Sequence, residues 1–287
     1  MKCNLCGSKN FRLINHRLFE NNLCQCNQCG LVFVKFQPCW EEIKKIYQKN
    51  YFKSSYSCLY GYQDYLSDKG NIIRTAVRRL KKIESFLGRR GRLLDLGCAT
   101  GFFLEAAQKR GWDVSGLEIS DYAAGLARKS LGRKIIQNTL SEASFPVQYF
   151  DVITAWDYLE HISDPKGEIK KASSLLKKGG LFVLSTPDIS SLPAKLAGDK
   201  WMGFKPLEHL YYFSKGNALV LCQGAGLRPI KAEYIGKYVN LDFFIQRLGL
   251  YSKILAKGLK NLMPKRALNK SIYINPRDIL CLWARKD

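Results

Sequence analysis

The chain has 287 residues, 46% of them hydrophobic, and Lys plus Arg exceed Asp plus Glu by 22 charges. That is enough apolar content for one full α/β domain and a small appendage. It contains no run of about 18 apolar residues, so a membrane-spanning helix is excluded as an expectation. The N-terminus passes directly to Cys3 without an apolar leader. The ten cysteines fall into CxxC pairs and isolated positions, which argues for metal binding in a reducing, cytoplasmic setting and against a disulfide framework. The basic balance fits a solvated surface, or an anionic partner such as nucleic acid, an acidic membrane or a phosphorylated substrate.

In chain order, Cys3-Asn-Leu-Cys6-Gly7 and Cys26-Asn-Gln-Cys29-Gly30 are two CxxCG knuckles with 19 residues between them. Each pair can grip one side of a tetrahedral ion, and the glycine permits a tight turn that aims backbone N–H groups at sulfur. Residues 1–40 are too few to build a core alone, so a metal clip makes physical sense. We expect a ribbon with one structural zinc on Cys3, Cys6, Cys26 and Cys29; no metal at all and rubredoxin-like iron are the alternatives. Cys24 lies outside the CxxC spacing, and His16 reads as an ordinary surface or strand histidine. Leu31 to Phe36 reads as the strand leaving the second knuckle. Residues 41–90 read as a helical and aromatic linker: a helix from Trp40 to Tyr47, an aromatic stretch from Tyr51 to Tyr65, then an amphipathic helix from Ile72 to Leu87. Its Arg78, Arg79, Lys81 and Lys82 read as a solvated face.

Arg92 to Ser120 organises the rest. Leu93, Leu94 and Leu96 form an apolar run that suits a strand buried on both faces. Gly97 and Gly101 bracket a tight loop, Phe102 to Arg110 is helical in composition, and Gly111 stops it. Val114 to Ile119 returns as a strand that ends in Glu118, 23 positions after Asp95. Such a unit places a nucleotide-like ligand at the carboxyl ends of its strands, with an acid about 20 residues on for ribose hydroxyls. The loop GCATG lacks the third glycine of GxGxxG and the GK[ST] of a Walker loop.

Downstream, Asp121 to Leu131 reads as a helix capped by Ser120, and Lys134 to Gln137 as a third strand. Phe150 to Trp156 is a fourth strand, Ile169 to Leu176 a helix, Lys178-Gly179-Gly180 a turn, and Leu181 to Ser185 a fifth strand. This alternation predicts an α/β fold with a parallel sheet covered on both faces.

Asp95 to Gly101 resembles motif I, (D/E)xGxGxG, of class I S-adenosyl-L-methionine (SAM) methyltransferases, with Ala99 at the middle glycine. A sulfonium, an ammonium and a ribose diol suit acids at strand ends. Leu159-Glu160-His161-Ile-Ser-Asp164-Pro165 resembles the LEHxxDP segment of the branch that includes ubiquinone O-methyltransferases, as does the LKKGG…STP run from Leu176 to Pro187. Glu208-His209-Leu210-Tyr211-Tyr212-Phe213-Ser214 is similar to a segment of zinc-ribbon enzymes that C-methylate nucleotide-linked deoxysugars, where the Glu-His pair serves catalysis. Those enzymes have a tyrosine where this chain has Pro206, and a further C-terminal domain that is not expected here.

The resemblance implies a Rossmann-like seven-stranded sheet, closed by an antiparallel hairpin for which Leu227 to Tyr234 and Asp278 to Arg285 are the candidates. The methyltransferase domain would span 91–287, with a lid at 187–213 and a helical insertion at 240–270. It implies cofactor contacts at Asp95, Gly97, Cys98, Gly101, Glu118, Ile119, Asn138, Thr139 and Asp157, the last meeting the methionine end. It places His209, Glu208 and His161 on the catalytic side. Histidine has the pKa of a base near neutrality, and Glu208 stands beside His209 to orient it; Glu160-His161 is alternatively structural, or a divalent-metal pair.

The insertion carries Leu, Ile and Phe on one helical face with Lys253, Lys257, Lys260, Lys265 and Arg266 beside them. It reads either as a cap over the site or as a peripheral contact through 240–266 with an anionic membrane. Three functions stay in view. The first is a methyltransferase for a small-molecule acceptor, a sugar or glycan precursor or a lipid-like molecule. The second is an RNA methyltransferase using the ribbon and the basic surface, against which no NPPY-type motif follows the fourth strand. The third is a non-catalytic SAM-binding protein.

Overall fold

The computed structural model describes residues 1–38, 42, 45, 47, 49–52, 65–249 and 252–287. Most of the helix expected at 40–47 and most of the aromatic stretch 51–65 fall outside them.

The sheet is built from β4 (Arg92–Leu96), β5 (Asp113–Leu117), β6 (Ile135–Ile136), β7 (Phe150–Trp156), β8 (Leu176–Pro187), β10 (Leu227–Tyr234) and β13 (Ile279–Lys286), in the order β10-β13-β8-β7-β4-β5-β6. Strands β8, β7, β4, β5 and β6 pair in parallel, and β13 inserts antiparallel between β8 and β10. This is the seven-stranded Rossmann-like α/β architecture expected from sequence.

Successive residues of β4 point to opposite faces, and both faces are buried. Leu93 packs with Ala76, Leu80 and Ile83 of α1 (Lys69–Leu87), with α2 (Phe102–Lys109) and with α3 (Asp121–Leu131). Leu94 and Leu96 pack on the other face with Ile169 and Ala172 of α4 (Pro165–Leu175) and Leu221 of α6 (Lys215–Gln223). The same cluster takes in Cys3, Leu5, Leu31 and Phe33, so the N-terminal segment docks on that face.

Some local expectations shift. Helix α4 starts at Pro165, four residues before Ile169, because the Asp164 side chain caps it by accepting from Gly167 N and proline suits the first helical position. Strand β8 begins at Leu176, with a register shift opposite Phe150 and Val152 that absorbs Lys178 to Gly180. Among the described residues the insertion is three helices, α7 (Leu241–Leu248), α8 (Lys253–Leu262) and the short α9 (Lys265–Leu268), closed at its base by the antiparallel pair β11 (Lys237–Asn240) and β12 (Ser271–Ile274), and Gly249 caps the first helix.

The N-terminal strands β1 (Phe11–Ile14), β2 (Leu23–Cys26) and β3 (Val32–Val34) are antiparallel, and their sheet is completed by β9 (Tyr211–Tyr212), which lies in the expected lid. The pairing sets Phe33 opposite Tyr211. His16 is neither on the surface nor in a strand. It is buried in the turn after β1, its ring 4.3 Å from that of Phe204 and 5.0 Å from that of Phe19. Burial pushes its pKa down, so the histidine packs neutral between ribbon and lid.

Candidate active site

The four knuckle cysteines converge. Their sulfurs lie within 4.8 Å of one another, with Cys3–Cys29 and Cys6–Cys26 both at 3.5 Å. A tetrahedral zinc at about 2.3 Å from each sulfur would set neighbours about 3.8 Å apart, so the donor set fits the ion. Burial raises the Cys26 thiol, but backbone N–H groups of Cys29 and Gln28 outweigh it and bring the pKa to about 7, which favours the thiolate a metal needs. Cys24 is fully buried on β2 and lies outside the cluster.

The glycine loop follows β4. Gly97 has φ +69°, and a Cβ there would meet the Tyr158 ring at 2.6 Å; Gly101 has φ +80° and packs on Ala127 and Leu131. Only glycine meets both demands. The loop opens into a cavity of about 1070 Å³. Asp95, Gly97, Cys98, Glu118, Ile119, Asn138, Thr139 and Asp157 line it, together with Glu160, His161 and His209. Gly101 and Glu208 do not: the first supports the loop from behind, and the second lies beneath the wall.

Asp95 is buried and accepts from the Thr154 hydroxyl at 2.5 Å. Burial raises its pKa to about 7, against the pull of Thr154 and Arg79. Glu118 accepts from Ala99 N and Ser120 N, both at 2.8 Å, which pins the loop to the end of β5 and leaves each carboxylate oxygen a second lone pair toward the cavity. Asp157 stands at positive φ and accepts from the Ser185 hydroxyl at 2.7 Å.

In the same cavity His161 and His209 meet edge to face, ring centroids 4.7 Å apart. His209 Nδ1 lies 3.0 Å from Gly203 O; a carbonyl only accepts, so Nδ1 carries the proton and Nε2 keeps its lone pair. His161 Nδ1 lies 2.9 Å from Glu208 O and 2.6 Å from the Tyr47 hydroxyl. Burial drives His209 well below the usual histidine pKa, helped by His161 and Lys205, and brings His161 to about 4. Burial thus favours the neutral form of both rings, below the near-neutral titration expected from sequence. The Glu208 carboxylate also does not orient His209. It is buried against Lys205 Nζ at 3.2 Å and the Tyr51 hydroxyl at 3.1 Å, while its carbonyl oxygen meets His161.

Glu160 is 1% exposed, and neither carboxylate oxygen has a hydrogen-bond partner among the described residues. Burial and Asp157 raise its pKa from the ordinary 4.5 to about 8. Between those values the folded chain holds a proton that the unfolded chain has lost, so stability falls as pH rises. His161 acts in reverse: its folded pKa of about 4 lies below the ordinary 6.5, so it weakens the fold as pH drops from 6.5 toward 4. Above pH 7, past the window of Asp95, Glu160 remains. The thermal midpoint should fall between pH 7 and 8, and Glu160→Gln should flatten that fall; an unchanged slope would mean the carboxyl is ionised in the fold.

Several cavity residues were not legible in the sequence. Arg79, expected on a solvated face, stacks over Trp156 at 4.2 Å and reaches the cavity, with its Nε unpartnered among the described residues. Lys82 of the same face pairs with Glu233. Tyr47, Trp201, Met202, Phe243 and Phe244 add apolar and aromatic surface to the lining, and Arg247 a cation. The periodicity of α1 distinguishes its buried stripe but does not reveal that Trp156 lies beneath Arg79.

Comparison with known proteins yields a consistent set. The family described as "Methyltransferase domain" matches residues 67–232. A ubiquinone biosynthesis O-methyltransferase of Aromatoleum aromaticum is 34% identical over 115 residues, 38% of this chain and 49% of that protein. Its counterpart in an Azoarcus species is 36% identical over 116 residues, with coverage of 38% and 49%. This chain thus spans about half the length of the curated relatives it matches. A SAM-dependent methyltransferase of Archaeoglobus fulgidus superposes with a TM-score of 0.53 at 17% identity, covering 77% of this chain and 99% of that one; at that identity the likeness is one of fold.

Proposed function

We propose, from the premise that this chain belongs to the methyltransferase-domain family, that it transfers a methyl group from SAM to a small-molecule acceptor with a largely apolar body. The observation that carries this is that one cavity is lined by Asp95, Glu118 and Asp157, by the His161–His209 pair, and by aromatic and aliphatic side chains.

SAM supplies a sulfonium methyl for in-line attack. In this reading Glu118 accepts from the ribose hydroxyls with its spare lone pairs, Asn138 and Thr139 flank the adenine, Asp157 meets the methionyl ammonium and Arg79 the carboxylate. His209 Nε2, held by the Nδ1 bond to Gly203, takes the proton from the acceptor as its nucleophilic atom bonds to the methyl carbon and the carbon–sulfur bond breaks. The apolar wall excludes water and binds the acceptor body, which favours a lipid-like acceptor over a sugar or an RNA base. The four-cysteine site holds a structural zinc. A second metal reading rests on the orphaned Glu160 oxygens, which lie with His161 and His209 ligand atoms within 4.8 Å; a divalent cation there would show as a second metal per chain on equilibrium dialysis.

Glu118→Ala should weaken SAM by about 1.5–3 kcal/mol, the range for hydrogen bonds to a charged group. Calorimetry giving wild-type affinity would sink the ribose assignment. The activity itself is tested by incubating methyl-labelled SAM and the protein with cell extract separated into lipid, nucleotide-sugar and RNA pools. Label in the lipid pool is expected; label in another pool replaces the acceptor class, and label in none overturns methyl transfer.

A further inference from the structure

Helix α8 is amphipathic, and its apolar side is bare. None of its residues is buried, and Ile254, Leu255 and Leu262 are 88%, 53% and 83% exposed. At ~100° per residue, Lys253, Lys257 and Lys260 share one side, Leu255 and Leu262 fall opposite them, and Ile254 stands on the flank between. Its ion pair to the preceding helix, Lys260 to Asp242 at 2.9 Å, anchors it through the lysine side and leaves the aliphatic side outward. Lys265 and Arg266 follow, both exposed. Among the described residues from 252 to 270 there is no acid.

The position of this helix matters as much as its composition. Helix α7, to which α8 is tied, lines the cavity through Phe243, Phe244, Arg247 and Leu248. Pro193, also in the cavity wall, belongs to the short helix Leu192–Ala197, whose Leu192 and Leu196 are 68% and 78% exposed. Bare aliphatic side chains therefore stand on one element of the cavity wall, the short helix Leu192–Ala197, and on α8, which is tied to another, α7.

We propose that this face docks on an anionic phospholipid bilayer, with α8 lying in the interface, its leucines and isoleucine among acyl chains and its lysines among headgroups, so that the acceptor reaches the cavity without crossing water. A basic helix with an aliphatic face and a net charge of +22 complements an anionic surface in both respects. An RNA would complement the cations alone and would leave the aliphatic side chains in water. The delivery step rests on the lipid-like acceptor proposed above; the docking does not.

Flotation of the full chain with vesicles separates the two. Phosphatidylcholine vesicles containing phosphatidylglycerol should carry the protein, and pure phosphatidylcholine should carry at least tenfold less. The double variant Ile254→Glu, Leu262→Glu should lose at least tenfold in flotation, while its SAM affinity by calorimetry and its thermal midpoint stay as in the wild type. Since both positions are exposed, folding is not at stake; Lys253→Gln with Lys257→Gln, which leaves the apolar side intact, should weaken flotation and reduce its dependence on salt. Failure of the wild type to float on phosphatidylglycerol vesicles overturns the proposal. So does undiminished flotation of the Ile254→Glu, Leu262→Glu variant, which would reduce the contact to a charge effect that any polyanion, RNA included, would satisfy. Self-association that this variant abolishes, with no flotation, would assign the face to a second copy and also overturn it. Flotation without methylation of any lipid would leave docking intact and remove the acceptor reading.

Discussion

His209→Ala should lower methyl transfer by about 10²–10⁴-fold, the usual contribution of a positioned general base, with SAM affinity nearly unchanged. The ring is buried and held by Gly203 O at 3.0 Å, with its partner ring His161 at 4.7 Å. His209→Asn keeps a polar group but no basicity and should not restore the rate. Because burial holds the His209 pKa well below the usual value, the wild-type rate should stay level as pH falls through 6.5, and its acid limb should lie lower. A limb centred near 6.5 would mean that some other, better solvated group takes the proton. If His209 only packs the lid, the alanine variant will melt early yet turn over nearly normally, and the role passes to His161. Thermal melts and single-turnover rates on the same samples separate the two outcomes.

Removing the ribbon metal should be as damaging, by another route. Apparent zinc affinities in small cysteine-ligated modules are about 10–16 kcal/mol and are folding energy, and in residues 1–38 a metal would add to a modest set of contacts, the docking of Cys3, Leu5, Leu31 and Phe33 on the main core and the β3–β9 pairing. Cys26→Ser should release the ion and unfold β1–β3. It should also loosen the lid, because β9 pairs with β3, Val34 N donates to Leu210 O, and Leu210 N donates to Glu160 O at 2.7 Å. Hydrogen exchange should quicken at 208–213, next to His209, and activity should fall about as far as in His209→Ala. SAM binding at Asp95 and Glu118, which touch none of these strands, should persist. Unchanged protection of 208–213 in metal-free protein would separate ribbon from lid, and elemental analysis finding iron alone would replace zinc.

The part of the cavity proposed above for the cofactor was legible as backbone because it is local: Asp95, the glycine loop and Glu118 lie within one strand–loop–helix–strand unit, and its geometry follows from nearest neighbours. The seven-stranded sheet was legible through apolar runs separated by helical periodicity. What escaped depends on partners remote in sequence. Arg79 and Arg78 differ by one position on α1, yet one stacks on Trp156 and the other on Tyr273, and nothing near residue 79 encodes which. The Glu208–His209 adjacency was misleading for a simpler reason: consecutive residues before a strand point apart, so the carboxylate faces Lys205 and Tyr51 while the imidazole faces His161. The neutrality of both histidines follows from burial, which one sequence does not reveal.

The pairing of β3 with β9 has a bearing on how the chain is made. Until Tyr211 and Tyr212 leave the ribosome, β3 presents an unpaired row of N–H and C=O groups, flanked by the apolar Val32, Phe33 and Val34. Such an open strand is a template for pairing with a neighbouring chain. At synthesis rates of about 5–20 residues per second, that exposure lasts on the order of ten seconds or more. If the four knuckle cysteines take the proposed zinc, a nascent chain that captures it early holds β3 in a folded hairpin, though still open on one side; one that does not carries a loose hydrophobic strand through most of its own synthesis. Metal shortage should therefore appear first as aggregation of newly made chains, before it appears as inactive enzyme.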